Sequence, residues 1–329
     1  MIVSERLSAW LADRDARAAT AGAVEDSARA LRALPQIAAV EAALPEAEAA
    51  GADAVIALAA AFMADETAAR AAVSALVRAA AADPFFRPPV GASTSEVHSG
   101  LMLFKRRALT IQLAVMGADA LAAKRHYRIG RSSIVFTGQR KIFRFLQGGG
   151  ATLSIWEAPE IRAGFSAASS GRCRLVERRA IVDGETLEVD GRRHSFIVDH
   201  APADIVYLQA LTPLGAAPVA AEYDSETLEL VASGSTDDAS SRTQMMLSLL
   251  RIMDRQDAAP VFAEVVGADH FYGRWQAMRE FLALNAELAL PHLKAMAAAD
   301  PHPEVRAAAA QTLEAFFPDE IEEDEPCPA

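Results

Sequence analysis

The sequence predicts an α+β protein in three parts: an N-terminal helical segment, a central antiparallel β-barrel or sandwich, and a C-terminal array of paired helices. Three observations predict this class. Ala, Leu, Glu and Arg dominate residues 4–83, and these residue types favour helices. Short apolar runs separated by Gly-containing turns fill residues 132–233, which is typical of strands. Helical periodicity returns from residue 239 onward.

The composition is that of an ordinary globular protein. Of 329 residues, 52% are hydrophobic and 23% are charged, which excludes a chain that is disordered throughout. Two cysteines, Cys173 and Cys327, are too few for a disulfide framework. The N-terminal segment carries charges every few positions, and the longest apolar run is shorter than the ~20 residues of a membrane span. We therefore expect a cytoplasmic protein that has no membrane as a partner.

The predicted N-terminal helical segment covers residues 1–90. Pro35 and Pro45 punctuate it. Residues 65–82 begin with an acidic turn that suits a helix N-terminus, and Pro84 follows the end of this run. The segment predicts three or four helices.

The central β region is predicted over residues 100–236. Its first stretch, residues 101–123, fits either two strands or one helix, because periodicity alone does not separate them. The strands expected after it fit one antiparallel sandwich or small barrel. They lie at 133–136, 141–146, 152–156, 174–182, 187–189, 192–198, 205–211 and 227–231.

Two glycine-containing turns connect these strands. Asp190-Gly191 predicts a two-residue hairpin, because Asp-Gly supplies the positive φ values of a type I′ turn. The three glycines at 148–150 predict a tight turn rather than a phosphate-binding loop, since no Gly-Lys-Ser/Thr and no helix follow them.

The region over about residues 130–235 resembles a cupin, a double-stranded β-helix barrel. The resemblance lies in its glycine-separated short strands and in the run GETLEVDGRRHSFIVDHAPADIVYLQAL. Metal-binding cupins carry an HxH pair followed by a glutamate and a later histidine, and this sequence contains no HxH. The resemblance therefore implies a cupin without that metal motif, of the kind that binds small molecules or acts as an interaction domain.

The C-terminal array is predicted over residues 237–317. Arg242, Arg274 and Arg306 are spaced by 32 residues, and each lies in an amphipathic helical run. The runs are SSRTQMMLSLLRIM, YGRWQAMREFLALN and PEVRAAAAQTLEAF. A period of this length with paired helices is typical of a solenoid.

The final unit, DPHPEVRAAAAQTLEAF, resembles the first helix of a HEAT repeat, and the resemblance extends over about residues 239–317. HEAT repeats use their Asp and Arg to tie neighbouring repeats together. The resemblance therefore implies a structural role for Asp300 and for the three spaced arginines. Residues 318–329, PDEIEEDEPCPA, are acidic and proline-bearing, so we expect a disordered tail.

Charge is distributed unevenly along the chain. The net charge is −12, yet Gly100 to Asp199 holds 17 Lys and Arg against 9 Asp and Glu. The rest of the chain holds 15 basic and 35 acidic residues. This pattern indicates either an anionic ligand or acidic partner for the basic region, or neutralisation within the molecule. Nucleic acid is not an expected partner of so acidic a chain.

Three arginines are candidate ligands for a small anion. Arg140 and Arg144 share one face of a predicted strand, and Arg192 lies next to the predicted hairpin. Guanidinium groups match the geometry of carboxylates and phosphates. The alternative is that these arginines pair with Glu177, Glu188 or the acidic helical parts of the chain.

Two histidines are candidate metal ligands. Strand alternation places His194 and His200 on one face, where a carboxylate such as Glu188 or Asp199 would complete a site for a divalent transition metal. Their separation is roughly 20 Å along an extended strand, which is too far for one ion unless the strand bends sharply.

No complete catalytic signature is present, since the sequence lacks GxSxG and Cys173 has no histidine near it in sequence. The leading hypothesis is a non-catalytic interaction or regulatory protein, without a cofactor, whose HEAT-like surface binds another protein. The alternatives are a metal-dependent cupin-type enzyme, such as an oxygenase or isomerase, and a binder of small molecules or anions.

Overall fold

The structure is a computed structural model that describes residues 5–126, 133–162, 164–267 and 271–318. N-terminal helices, central antiparallel strands and C-terminal helices follow one another along the chain. The predicted α+β class is therefore confirmed. Residues 319–329, most of the predicted tail, lie outside the described residues.

Five helices form the N-terminal segment, rather than the three or four predicted. Asp13 caps the second helix by accepting hydrogen bonds from the backbone N–H groups of Asp15 and Ala16. Gly51, with a φ of 106°, separates the third and fourth helices. Pro45 lies inside the third helix. The helices are α1 (Glu5–Ala12), α2 (Arg14–Arg32), α3 (Pro35–Ala50), α4 (Ala52–Ala64) and α5 (Thr67–Ala82).

The ambiguous stretch after these helices contains two strands followed by a short helix. β2 and β3 pair antiparallel, with Gly100 opposite Ala114, so the single-helix alternative is wrong. These elements are β1 (Ala92–Thr94), β2 (His98–Lys105), β3 (Thr110–Met116) and α6 (Ala118–His126).

Most of the later predicted strands are confirmed, with small differences at their ends. The exception is the strand predicted at 227–231. Asp224 accepts hydrogen bonds from the backbone of Glu226 and Thr227, so this stretch turns and a strand begins only at Leu230, while the strand before it was not predicted. The strands are β4 (Ser133–Phe136), β5 (Arg140–Gln147), β6 (Thr152–Glu157), β7 (Arg174–Ala180), β8 (Thr186–Asp190), β9 (His194–His200), β10 (Ile205–Thr212), β11 (Val219–Asp224) and β12 (Leu230–Ser235).

The central strands form separate antiparallel sheets. A six-stranded sheet has the order β1-β2-β3-β10-β5-β8, and a three-stranded sheet has the order β7-β6-β9. β11 and β12 pair with each other. The described strands form no closed barrel, so the barrel alternative of the prediction is not confirmed.

The hairpin predicted at Asp190-Gly191 is wrong. β8 pairs with β5, whereas β9 pairs with β6 in the other sheet. Gly191 instead donates a backbone hydrogen bond to Gln139 O and accepts one from Gly138 N. A Cβ atom at position 191 would lie 2.5 Å from Gln139 O. Glycine is therefore needed here for a close backbone approach, not for a positive φ.

The chain divides into two compact units, each built from several segments. Unit 1 contains the described residues of Met1–Ala158, Cys173–Ala216 and Asp224–Leu228. Unit 2 contains those of Pro159–Arg172, Ala217–Tyr223 and Glu229–Ala329.

In unit 1, both faces of the six-stranded sheet are buried. On the helix side, Ile142 and Leu208 pack in one apolar cluster with residues of α2 to α5. On the opposite side, which we call the inner face, Phe143 and Phe145 pack in a second cluster with Leu153 and other residues of the three-stranded sheet. One strand, β5, therefore contributes to both layers of the core.

Unit 2 contains paired helices over a single apolar cluster that includes Phe262, Phe281 and Leu293. The paired C-terminal helices are confirmed as helices. Among the described residues, no helix is long and apolar enough to cross a membrane. The helices are α7 (Asp238–Ile252), α8 (Ala259–Val266), α9 (Phe271–Leu284), α10 (Ala286–Ala299) and α11 (Pro303–Phe316).

Candidate functional site

The arginines predicted to bind an anion lie on the helix side of β5 or beside it. Arg140 forms ion pairs with Asp53 of α4 and Glu188 of β8. Arg144 donates a hydrogen bond of 2.9 Å to Gly184 O, and its Nη2 lies 3.9 Å from Glu66 Oε1. Each guanidinium group is thus engaged by groups of its own unit.

Arg192 is engaged in the same way. It makes two side-chain hydrogen bonds to Asp190, at 2.9 and 2.7 Å. The hydrogen bond from Arg192 is the largest cause that holds the pKa of Asp190 below its ordinary value. The structure therefore places Arg192 and Arg140 at one end of β8, where Asp190 is the register partner of Arg140.

The two candidate metal ligands lie at opposite ends of β9. His194 is opposite Glu157 of β6, and His200 is opposite Thr152 at the far end of the same ladder. The structure does not bring the two imidazoles together. No group of three His, Cys, Asp or Glu side chains that could hold a metal ion occurs in the described part of the chain.

Lys141 is the charged residue of β5 that points to the inner face. It shares this face with Phe143 and Phe145, because side chains alternate along a strand. Lys141 is partly buried, and loss of hydration lowers the pKa of its ammonium from 10.5 to about 8. No hydrogen bond or ion pair joins it to any described residue.

Polar side chains surround Lys141 on the inner face of the sheet. Its register partner on β10 is Leu211, and Thr110 of β3 is opposite that leucine. One step further into the sheet, Gln112 of β3 donates a hydrogen bond of 3.2 Å to Gln209 of β10. Two amides and a hydroxyl thus share the face that carries the ammonium.

The three-stranded sheet adds two titratable groups at the same end. The rings of Phe143 and Phe196 meet edge to face with centroids 4.9 Å apart, which aligns β5 with β9. His194 precedes Phe196 by two residues and shares its face. Glu157, opposite His194, forms ion pairs with Arg174 and with Arg193.

We call this group of residues the Lys141 site. Lys141, which pairs with no described residue, lies with two amides and a histidine on the facing sides of two sheets beside aromatic rings. This set of groups suits a small molecule with one negative charge and an apolar body. The members are Thr110, Gln112, Lys141, Glu157, His194 and Gln209.

Part of this site can be predicted from the sequence. Lys141 lies directly beside Arg140, and alternation alone shows that the two point to opposite faces. What the sequence could not show is which face lies between two sheets, because that depends on how the N-terminal helices pack.

The cleft described next has a lining that is less suited to binding an anion. A cleft of about 780 Å³ in unit 1 is lined by residues such as Leu31, Met102 and Phe104. Its charged residues include Glu41 and Arg106, which pair with each other at 2.8 Å.

In unit 2, the arginines predicted to have a structural role differ in their surroundings. Arg274 of α9 and Asp300, just after α10, form a buried pair with two hydrogen bonds of 2.7 Å. Burial raises the pKa of Asp300, but hydrogen bonds from Arg274 and from the His302 backbone hold it below its ordinary value. Arg306 donates to Asp300 O, whereas Arg242 donates to Asp238 O of its own helix.

Helix α7 of unit 2 carries an exposed apolar stripe. Its side chains recur at helical spacing on the face opposite the buried Leu247. We call this set the α7 stripe: Met245, Met246, Leu249, Ile252 and Met253, which are 54–71% exposed.

Cys173 is fully buried. Burial raises the pKa of its thiol to about 11, so the reactive thiolate is scarce at neutral pH. The structure gives this cysteine a packing role.

No model of a known protein family matches this sequence, and no curated protein matches it. Some solved structures show a weak likeness. An ectoine synthase from P. lautus has 10% identity and a TM-score of 0.23, over 37% of this chain and 68% of that one. A sugar phosphate isomerase of the cupin superfamily from Silicibacter pomeroyi has 12% identity and a TM-score of 0.24, over 45% and 87%.

A structure of DMSP lyases has 11% identity and a TM-score of 0.26, over 45% of this chain and 66% of that one. TM-scores in this range do not establish a common fold. The function of this chain is therefore inferred from its own residues.

Proposed function

We propose that the protein binds a small organic anion at the Lys141 site. The observation that supports the proposal is the unpaired ammonium of Lys141, which lies between two sheets and has no ion pair with any described residue. The proposal keeps the small-molecule alternative of the sequence analysis. It replaces Arg140, Arg144 and Arg192 by Lys141 as the cation that meets the ligand.

Electrostatics favours this assignment. Removing an ammonium from water without a partner is costly, and an anion that binds beside it offsets that cost. An ion pair at 4 Å contributes roughly 4 kcal/mol at the effective dielectric of a protein site. The Arg140 guanidinium gains much less from a ligand, because Asp53 and Glu188 already neutralise it.

The rest of the site fits a small organic molecule. Gln112 and Gln209 offer amide donors and acceptors. The rings of Phe143 and Phe196 offer an apolar surface. This combination favours a ligand with one carboxylate or phosphate and a short carbon skeleton.

The experiment is calorimetric titration of the full chain with malonate, succinate, pyruvate and inorganic phosphate. We expect at least one of these anions to bind, and Lys141→Met to weaken that binding at least tenfold. The matched control is Lys124→Met, because Lys124 has a carboxylate partner in Glu96 at 3.0 Å. Equal affinity in the Lys141→Met variant, or a flat response of the wild type to every anion, contradicts the proposal.

A second candidate function is protein interaction through unit 2, which was the leading sequence hypothesis. The α7 stripe favours it, since a row of exposed apolar side chains at helical spacing is the pattern of a helix that packs on another helix. We infer that the partner is a second copy of this chain, because two such stripes complement each other about a twofold axis. In this proposal the helices of unit 2 are HEAT-like, and the Arg274–Asp300 pair ties two of them.

Sedimentation velocity over a concentration series tests this second candidate. We expect reversible dimers of the wild type and monomers of Met245→Glu/Ile252→Glu. Val77→Glu is the control, since Val77 is also exposed but lies on α5 of unit 1. Monomers of the wild type at every concentration, or dimers that survive the double substitution, would refute it.

A further inference from the structure

We propose that Lys141 forms an imine with its ligand, so that the ligand class is an anionic aldehyde or 2-oxo acid. This inference rests on the proposed binding function and adds a covalent step to it. The geometry that supports it is a primary amine that no described residue engages, on a strand paired on both sides, at the apolar inner face of a sheet.

The residue type fits this chemistry. The chain holds 28 arginines but only four lysines, Lys105, Lys124, Lys141 and Lys294. An arginine keeps its proton in any protein environment, whereas a desolvated lysine releases it and becomes a nucleophile. At the inner face the chain carries lysine, whose neutral amine form can attack a carbonyl group.

The step balances without an oxidant or reductant. The electron pair of neutral Lys141 Nζ attacks the carbonyl carbon, and the π electrons of the C=O bond move to the oxygen. Nζ then loses its two protons, the oxygen gains two, the C–O bond breaks as water leaves, and a C=N bond remains. The net reaction is amine plus carbonyl compound giving imine plus water.

The groups that face the amine are suited to these proton transfers. From β9 comes His194, and from β6 comes its register partner Glu157, which is paired with Arg174 and Arg193. Thr110 comes from β3. The facing residues of β8 and β10 that adjoin Lys141 are Val189 and Leu211, which carry no charge.

An anionic carbonyl compound suits the site better than a neutral one. Protonation of the imine gives an iminium, which keeps the positive charge at position 141. A carboxylate next to the carbonyl carbon then lies beside that charge before and after the step. Gln112 and Gln209 hydrogen-bond to each other, and their remaining amide N–H groups are donors of the kind that a carboxylate accepts.

The experiment is reductive trapping on the full chain. The protein is incubated with pyruvate or glyoxylate and cyanoborohydride, digested, and analysed by mass spectrometry. We expect Lys141 to gain the mass of the acid minus one oxygen atom at least tenfold faster than Lys105, Lys124 or Lys294. Equal labelling of all four lysines overturns the inference.

Lys141→Arg separates this inference from the proposed function. The variant keeps the positive charge but cannot form an imine, so we expect it to bind malonate at least fivefold more tightly than Lys141→Met does and to lose the trapped adduct, with Lys124→Arg as control. If the wild type binds pyruvate but yields no adduct at Lys141, the imine is overturned while the proposed function stands. If nothing binds and nothing is trapped, both fail.

A second measurement needs no variant. Malonate carries two carboxylates but no carbonyl group that forms an imine, so it competes for the site without reacting. We expect it to slow trapping of pyruvate at Lys141 and to leave Lys105 unaffected. Trapping at Lys141 that malonate does not slow overturns the inference.

Discussion

The cations on the two faces of β5 differ in whether other groups of the fold pair with them. On the helix side, Arg140 pairs with two carboxylates, and Arg144 contacts Gly184 O and Glu66. On the inner face, Lys141 is partly buried with no ion pair or hydrogen bond to any residue that the structure describes, and its pKa falls to about 8. Of the three basic residues of β5, Arg140 and Arg144 therefore stabilise the fold, and Lys141 belongs to the candidate site.

This difference shows that one basic stretch of sequence can hold both structural cations and a candidate ligand-binding cation. A cation that is paired within the fold has little electrostatic attraction left for a ligand. A desolvated cation without a partner lowers stability unless an anionic ligand binds beside it. In the central region, some basic residues pair with carboxylates of the same molecule, and another is a candidate to bind an anion. Strand alternation shows on which face of the sheet each residue lies.

The largest expected effect concerns a matched and buried cation. Arg274→Met leaves Asp300 buried without its partner, and we expect a loss of about 3–5 kcal/mol in the free energy of unfolding. Urea unfolding followed through the transition of unit 2 measures it. Arg242→Met is the control, because Arg242 is exposed and donates to the backbone oxygen of Asp238 in its own helix. Equal losses in both variants would contradict the stabilising role of the buried Arg274–Asp300 pair.

The next effect has the opposite sign. Lys141→Met removes an unpaired ammonium, so we expect it to stabilise unit 1 at pH 7 by about 1–3 kcal/mol. The pKa of Lys141 is lower in the folded chain, at about 8, than its ordinary 10.5. The cost of the charge is therefore complete below pH 8 and disappears as the pH rises towards 10.5.

Denaturant midpoints measured at pH 7, 9 and 10.5 check this prediction. We expect the advantage of Lys141→Met over the wild type to shrink across that series, and Lys124→Met to show no such trend. A Lys141→Met variant that is less stable than the wild type at pH 7 contradicts the assignment of Lys141 as an unmatched cation.

A smaller effect concerns the pH dependence of ligand binding. Only the protonated ammonium attracts an anion, so affinity for malonate is expected to be constant below the pKa of about 8 and to fall by about tenfold per pH unit above it. A bound anion shifts the fall to higher pH because it favours the charged form. Calorimetric titration between pH 6 and 10 follows this, and a pH-independent affinity would place the ligand elsewhere.

The smallest expected effect concerns Arg140, on the helix side of β5. Arg140→Met removes ion pairs whose carboxylates are largely solvent-exposed, with Asp53 86% and Glu188 47% exposed. We expect about 1 kcal/mol of destabilisation and no change in anion affinity. A tenfold loss of affinity in this variant would instead support the arginines as ligand residues.

The sequence predicted local features well where local chemistry decides them. The ends of β4, β5 and β6 follow from their apolar runs and the glycines between them. The hairpin at Asp190-Gly191 was wrong because the partner of β8 is β5, far away in sequence, and the reason for Gly191 is its approach to Gln139. Turn chemistry does not specify which sheet the next strand joins.

The candidate site was predictable only in part for the same reason. Alternation separates Lys141 from Arg140 and Arg144 without any structure. The pairing of Gln112 with Gln209, and the contact of Phe143 with Phe196, join residues that lie far apart in the chain. The arginines attracted attention because they are numerous, but their carboxylate partners lie on α4, on β8 and directly before α5, and are visible only in the fold.

The interleaved segments of the two units have a consequence for synthesis on the ribosome. All described residues of unit 1 have been made once Leu228 has been added, whereas Pro159–Arg172 belongs to unit 2 and precedes most of it. In the finished chain, Ser170 O accepts a hydrogen bond from Tyr223, and Ala167 N donates one to Glu304. This early segment must therefore wait for a helix made more than a hundred residues later, and a chaperone that shields it during that interval would raise the yield of folded protein.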